Sequence, residues 1–249
     1  IKGSMSLINN EEFDNIFSKI SEYKIESGGS AANTAVGYSS FGGNSIFFGS
    51  IGKDNFGLSF QKDLNDIGIQ FLSSEDNLLD VKTSKSLVLI SPDGERTMCT
   101  FLDASTSLSL KNSHQSIFKN NNILYLEGYL FDKIQTKQAM IDLCKIAQKK
   151  NSLICLSLSD SFCVERHKDE FISLIKNYVN ILFGNDQEIE ALLNGQAKEK
   201  ISSLVEIAVV TNGAKGANIL KANNSIFIPP IDGLDVLDTT GAGDLFAAG

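Results

Sequence analysis

The amino-acid sequence predicts an α/β protein, a three-layer α/β/α body on a mostly parallel central sheet, with a small β-lid. Three observations carry this. Apolar β-rich runs alternate with amphipathic stretches along most of the 249 residues, as when strands are joined by crossover helices. The strand runs are near-continuously apolar, as in a sheet covered on both faces. One pair of β-rich runs instead flanks a Pro-Asp-Gly turn, the mark of an antiparallel hairpin.

Taken in order, 45–51 (SIFFGSI) reads as a strand and 57–67 as a helix. The runs 85–91 (KSLVLIS) and 97–102 (TMCTFL) form the hairpin around Pro92-Asp93-Gly94. Then come a strand at 123–126 (ILYL), a long helix over 134–150, a strand at 153–158 (LICLSL) and a helix through 171–176. A strand at 179–183 (VNILF), a short helix from Gln187 and a strand at 207–211 (IAVVT) complete the pattern. There is no internal repeat and no Pro/Gly/Ser linker, and the chain has three prolines. One domain over 1–249 with a lid is therefore expected. The start at Ile1 and the end inside a helix-like LFAAG predict further residues at both ends.

Bulk properties exclude several functions. The formal net charge is -8 and the pI about 4.8, with lysines scattered among acids, whereas a nucleic-acid binder shows a basic face. No apolar run approaches a membrane span, and no leader-like segment opens the chain. A soluble cytoplasmic protein is the expectation. Cys99, Cys144, Cys155 and Cys163 form no Cys-x-x-Cys pair, so they read as buried free thiols rather than zinc or redox ligands. His114 and His167 have no neighbours that suggest a triad or metal pair and read as surface residues.

Five polar and glycine-rich clusters remain. Asp238-Thr239-Thr240-Gly241-Ala242-Gly243-Asp244 opens a helical stretch. Unpaired N–H groups at a helix start can hold phosphate, and Asp244 beside them could take a proton from a hydroxyl; a plain capping turn explains the cluster equally well. Gly28-Gly29-Ser30-Ala31-Ala32-Asn33 suits recognition of polyol hydroxyls, or is a glycine turn with Ser30 as N-cap. Residues 49–57 (GSIGKDNFG) fail the Walker A pattern at Phe47 and Asp54, and Gly241-x-Gly243 fails the dinucleotide fingerprint at Phe246. Asn185 and Glu188 follow a strand, three residues apart; they could order magnesium waters or cap a helix. Thr211, Gly213 and Gly216 follow the last strand, at a nucleotide loop or a glycine turn.

In combination the clusters resemble the ribokinase-like (PfkB) family of carbohydrate and nucleoside kinases. Both family signatures are matched in order, 28–57 and DTTGAGD at 238–244, with the NxxE element (Asn185, Glu188) and the T-x-G-x-x-G loop (Thr211, Gly213, Gly216) between them. SPDGERTM, YLEGYLFD and LSDSFCVERH look most like the bacterial adenosine kinase-like branch. The resemblance implies a ribokinase-like fold with lid strands near 1–8 and 85–102, and ATP-dependent transfer of phosphate to a hydroxyl, most simply the 5′-hydroxyl of adenosine. A sugar kinase acting on ribose, fructose or a keto-deoxy sugar acid is the alternative, and a non-catalytic sensor the third reading.

Carried over residue by residue, Asp244 is the base and the amides of Gly241, Ala242 and Gly243 form an anion hole. Gly28, Gly29, Asn33 and Glu127 hold the acceptor. The resemblance further implies that Thr211, Gly213 and Gly216 line the ATP site, that Asn185 and Glu188 organise Mg2+ through water, and that Asp238 and Thr240 belong to the K+ site that many members have. Arg96 reaches phosphate from the hairpin or is a surface turn arginine. A monomer or a homodimer paired through lid strands is implied. The substrate-binding Asp of the family's first strand and the adenine-pocket segment after GAGD have no counterpart here. Ser30 replaces the lysine of many ribokinases, which favours a nucleoside.

Overall fold

The computed structural model describes residues 2, 4–74, 81–111, 114, 117–196, 198–222, 224–236 and 238–249. In chain order the elements are β1 (Met5–Leu7), α1 (Asn10–Phe17), α2 (Ser30–Ser40), β2 (Ile46–Gly49), α3 (Asn55–Asp66), β3 (Gln70–Ser73), β4 (Lys85–Ile90) and β5 (Arg96–Phe101). There follow β6 (Ile123–Glu127), α4 (Ile134–Lys149), β7 (Leu153–Ser157), α5 (Ser161–Arg166), α6 (Lys168–Tyr178), β8 (Ile181–Asn185), α7 (Asp186–Leu193), β9 (Ile207–Thr211), β10 (Ala217–Lys221), β11 (Asn224–Ile228) and α8 (Ala242–Ala248). Two compact units emerge. The first comprises 1–28 and 43–109, the second 29–42 and 110–249.

In the first unit, β4 and β5 form the expected antiparallel hairpin, Ile90 opposite Arg96, and β1 adds in parallel to β5. The turn closes where the Gly94 N–H donates to the Ser91 carbonyl at 2.8 Å. Residues 1 and 3 of the expected first lid strand lie outside the described residues. A separate parallel pair, β2 and β3, is joined through α3. Phe47 stacks on Phe71 beside it, and Phe60 of α3 meets both rings edge-on. Asp54 caps α3 by accepting from the Gly57 N–H at 2.8 Å, and also takes the Thr83 N–H and hydroxyl at 2.8 and 2.7 Å. Burial works against its charge, but these donors and Lys85 outweigh it and hold the carboxyl below its usual range. The α1 helix carries a full capping box between Asn9 and Glu12.

The second unit is built on one six-stranded sheet, ordered β11-β10-β9-β8-β7-β6. β6 to β9 are parallel, as their apolar runs and intervening helices require. β10 and β11 are antiparallel, because only the turn 212–216 separates β9 from β10, too short for a crossover. Alternation gives the sheet two faces. Leu126, Ile154, Leu156, Leu182 and Ala208 pack with Met140, Phe171, Ile175 and Ile189 in one buried cluster. The other face carries Tyr125, whose ring lies 6.2 Å from that of Phe183 and whose hydroxyl pairs with Thr34 of α2 and Ser157. Helices thus cover both faces.

One expectation is borne out and extended, and one is corrected. The helix expected through 171–176 spans all of α6 and is preceded by a separate α5, capped where the Cys163 N–H donates to Asp160 at 3.0 Å. His167 is not a simple surface residue. It is partly buried, its ring nitrogens lie 3.2 Å from Asp132 and 3.1 Å from Glu170, and its ring lies against Phe131. Cys144, Cys155 and Cys163 are buried free thiols, while Cys99 is only partly covered.

Candidate active site

Four parallel strands run their carboxyl ends to one edge of the sheet in the second unit. Glu127 pairs with Ser157 across β6 and β7, and Asn185 with Thr211 across β8 and β9. Three sequence-singled residues therefore meet on one edge, where open α/β sheets bind ligands. At the β9 end, the Asn212 N–H donates to the Gly216 carbonyl at 2.8 Å and closes a tight turn that includes Gly213. Gly216 has φ +93°, and a Cβ there would lie 2.2 Å from the Ile228 carbonyl oxygen, so the turn admits no side chain.

At the β8 end, Asn185 and Glu188 form a capping box. The Glu188 N–H donates to Asn185 Oδ1 at 2.9 Å, the Asn185 N–H to Glu188 Oε2 at 3.0 Å, and Asn185 Nδ2 to Glu188 Oε1 at 2.8 Å. Helix capping is thus what this pair does in the structure. Burial pushes the Glu188 carboxyl above its usual range, against the opposing Asn185 N–H. Among the described residues no group of three His, Cys, Asp or Glu side chains could cage a metal directly. The donor set at this edge, an exposed carboxamide over a buried carboxylate, fits a hydrated magnesium ion held through its waters.

The α2 and α8 helices bring the remaining residues together. Asp244 lies in the first turn of α8, which begins after Gly241 at φ +71°. Its Oδ2 accepts from Asn33 Nδ2 at 2.8 Å and its Oδ1 from Ser30 Oγ at 2.8 Å. The neighbouring Ala31 N–H donates to Glu127 Oε2 at 2.9 Å. Burial pushes the Glu127 carboxyl up; the Ala31 N–H opposes this and the Asp244 carboxylate adds to it. The contacts advance together along both helices: a Cβ at Gly241 would lie 3.4 Å from Asn33 Nδ2, and one at Gly37 only 2.8 Å from the Ala248 Cβ.

Other placements are less convergent. Ser30 does not cap α2; Gly29 stands at the cap without a side-chain bond, its carbonyl accepting the Asn33 N–H at 2.8 Å. Gly28 is exposed, just before this segment. The Ala242 amide is already engaged by the Thr239 carbonyl at 3.1 Å. Asp238 Oδ1 accepts the Thr240 N–H at 2.7 Å in an exposed turn, so this pair adopts the turn conformation. Arg96 begins β5 in the first unit, partly buried. The bond from Ser30 to Asp244 was missed in the sequence, although spacing of Ser30 and Asn33 three apart places them on one helical face.

A profile of pfkB family carbohydrate kinases matches residues 3–249. The chain belongs to the PfkB family. The fold is accordingly the ribokinase-like α/β fold, and the chain is an ATP-dependent sugar or nucleoside kinase. It is similar to adenosine kinase of Saccharomyces cerevisiae, at 25 % identity over 95 % of this chain and 74 % of that protein. Among solved structures it resembles adenosine kinase from Sinorhizobium meliloti and a probable sugar kinase from Rhizobium etli. Each has a TM-score of 0.90 and 34 % identity, over 100 % of this chain and 77 % of the other. Among the described residues, no helix of this PfkB chain is long and apolar enough to cross a membrane.

Proposed function

We propose that the chain transfers the γ-phosphoryl group of ATP to the 5′-hydroxyl of adenosine or a related purine nucleoside, with Asp244 as general base. The observation that carries this reading is the joining of Asp244 to Ser30 and Asn33 at the start of α2, beside Glu127. It supports a hydroxyl acceptor seated against that turn, its proton passing to an Asp244 oxygen as the oxygen attacks phosphorus. The neutral Ser30 in place of a lysine, and the 34 % identity with a protein named adenosine kinase over the whole chain, favour a nucleoside. The equal match to a probable sugar kinase makes ribose or fructose the second acceptor class.

In this reading the backbone amides of Gly241, Ala242 and Gly243 hold negative charge on the transferred group, and Ala242 releases Thr239 to do so. Thr211, Gly213 and Gly216 line the nucleotide, while Gly28, Gly29, Asn33 and Glu127 orient the acceptor. Asn185 and Glu188 hold waters, and the magnesium ion among those waters would supply charge neutralisation at the phosphates. Asp238 and Thr240 are assigned to a potassium ion by resemblance alone.

The test is ATP consumption with magnesium against adenosine, other nucleosides, ribose and fructose. Turnover with adenosine is expected, and Asp244→Asn is expected to lower kcat by about 10²–10⁴-fold, the usual worth of a positioned general base. Turnover with sugars alone would replace the acceptor and keep the mechanism. Full activity of Asp244→Asn would remove Asp244 from the role of base.

A further inference from the structure

Ser30 is assigned no step in the reaction as described above, yet among the described residues it makes one of the two side-chain hydrogen bonds that reach Asp244. We propose that Ser30 is a positioning residue, which together with Asn33 sets the plane of the Asp244 carboxylate from a neighbouring helix. The inference rests on Asp244 being the base. An aspartate in the first turn of a helix can rotate about two side-chain torsions. Here the rotation is arrested from α2: Ser30 Oγ donates to Oδ1 and Asn33 Nδ2 to Oδ2, each at 2.8 Å. A carboxylate oxygen can accept two hydrogen bonds, so each oxygen keeps a second acceptor position for an incoming hydroxyl.

The surroundings hold this clamp in register. Ala31, between the two donors, gives its N–H to Glu127 at the end of β6 at 2.9 Å, tying the same turn to the sheet. The helices approach closely where glycines allow it. A Cβ at Gly37 would meet the Ala248 Cβ at 2.8 Å and Leu245 Cδ2 at 2.9 Å, and one at Gly241 would meet Asn33 Nδ2 at 3.4 Å. Spreading α2 from α8 would therefore stretch both bonds to Asp244 together. Misplacing a reacting group by about 1 Å costs on the order of 10²-fold in rate.

The experiment compares Ser30→Ala, Ser30→Thr and Asp244→Asn with the unaltered protein. It uses steady-state kinetics with ATP and adenosine, run in parallel with fructose, together with crystal structures of the unaltered and Ser30→Ala proteins. Expected for Ser30→Ala are a rotated Asp244 carboxylate, a kcat lower by about 10- to 100-fold and a KM for the acceptor within about twofold. Ser30→Thr, which keeps a hydroxyl, is expected to restore most of kcat. A raised acceptor KM with unchanged kcat would make Ser30 a substrate contact and overturn the inference. So would an unmoved carboxylate in the Ser30→Ala crystal, which is read without any substrate. An inactive Asp244→Asn beside a fully active Ser30→Ala sinks this inference alone, whereas an active Asp244→Asn sinks the assignment of the base beneath it.

Discussion

Glu127 is a residue whose chemistry is set by its surroundings. Burial raises its carboxyl above the usual range, the Ala31 N–H opposes this, and the Asp244 carboxylate adds to it. The folded protein therefore holds the Glu127 proton more tightly than the unfolded chain does. Its contribution to stability is full below the ordinary glutamate value of about 4.3 and is lost as pH rises through the higher folded value. Glu127→Gln keeps a carbonyl oxygen for the Ala31 N–H and removes the charge. Its melting temperature is expected to exceed that of the unaltered protein at pH 8, and the two curves to converge towards pH 4. Melting curves that stay parallel over that range would mean that ionisation of Glu127 carries no cost in the folded state. Asp132 shows the opposite balance. Burial opposes its charge, but the Arg166 guanidinium, at 2.8 and 3.0 Å from its two oxygens, and His167 outweigh this and lower it.

At the scale of elements, the pairing of α2 with α8 decides whether Asp244 is held. Gly37 sits where a methyl group would fall 2.8 Å from the Ala248 Cβ, which has no torsion by which to move away, and 2.9 Å from the more adaptable Leu245 side chain. Gly37→Ala is expected to cost about 1–3 kcal/mol, as overpacking in a tight contact does, and to lower kcat by spreading the clamp. Calorimetry and steady-state kinetics on one preparation would check both, and unchanged values would show that the helices yield without strain. Much of this level was legible in the sequence. The hairpin at 85–102 announced itself through Pro92-Asp93-Gly94, and β9 coincides with the apolar run 207–211, because local chemistry decides both. The α1 helix was missed, although Asn9 and Glu12 spell a capping box. The β10–β11 hairpin was missed too; its turn includes Ala222 at φ +51°, where no glycine marks it. The join from Ser30 to Asp244 spans 214 positions, and no local pattern encodes it.

At the scale of the molecule, the four thiols report on the two units separately. Cys99 lies on β5 in the first unit and is partly covered, whereas Cys144 on α4, Cys155 on β7 and Cys163 on α5 are buried in the second. Burial pushes these three thiols up to about 12, about 11 and about 12 respectively. Only the thiolate alkylates, so at pH 8 they are protected twice, by packing and by protonation. Brief treatment of the native protein with iodoacetamide at pH 8, followed by mass spectrometry, is expected to add one label, at Cys99. Cys144 and Cys163 share one buried cluster that draws on four parallel strands and the helices packed against them, and Cys155 faces the other side of the same sheet. With rising denaturant, all three should become reactive in a single transition, since losing the sheet exposes both faces at once. Labelling of Cys155 ahead of the other two would mean that the face carrying Tyr125 and α2 opens first. The Ser30 and Asn33 hold on Asp244 would then be lost before the core beneath it.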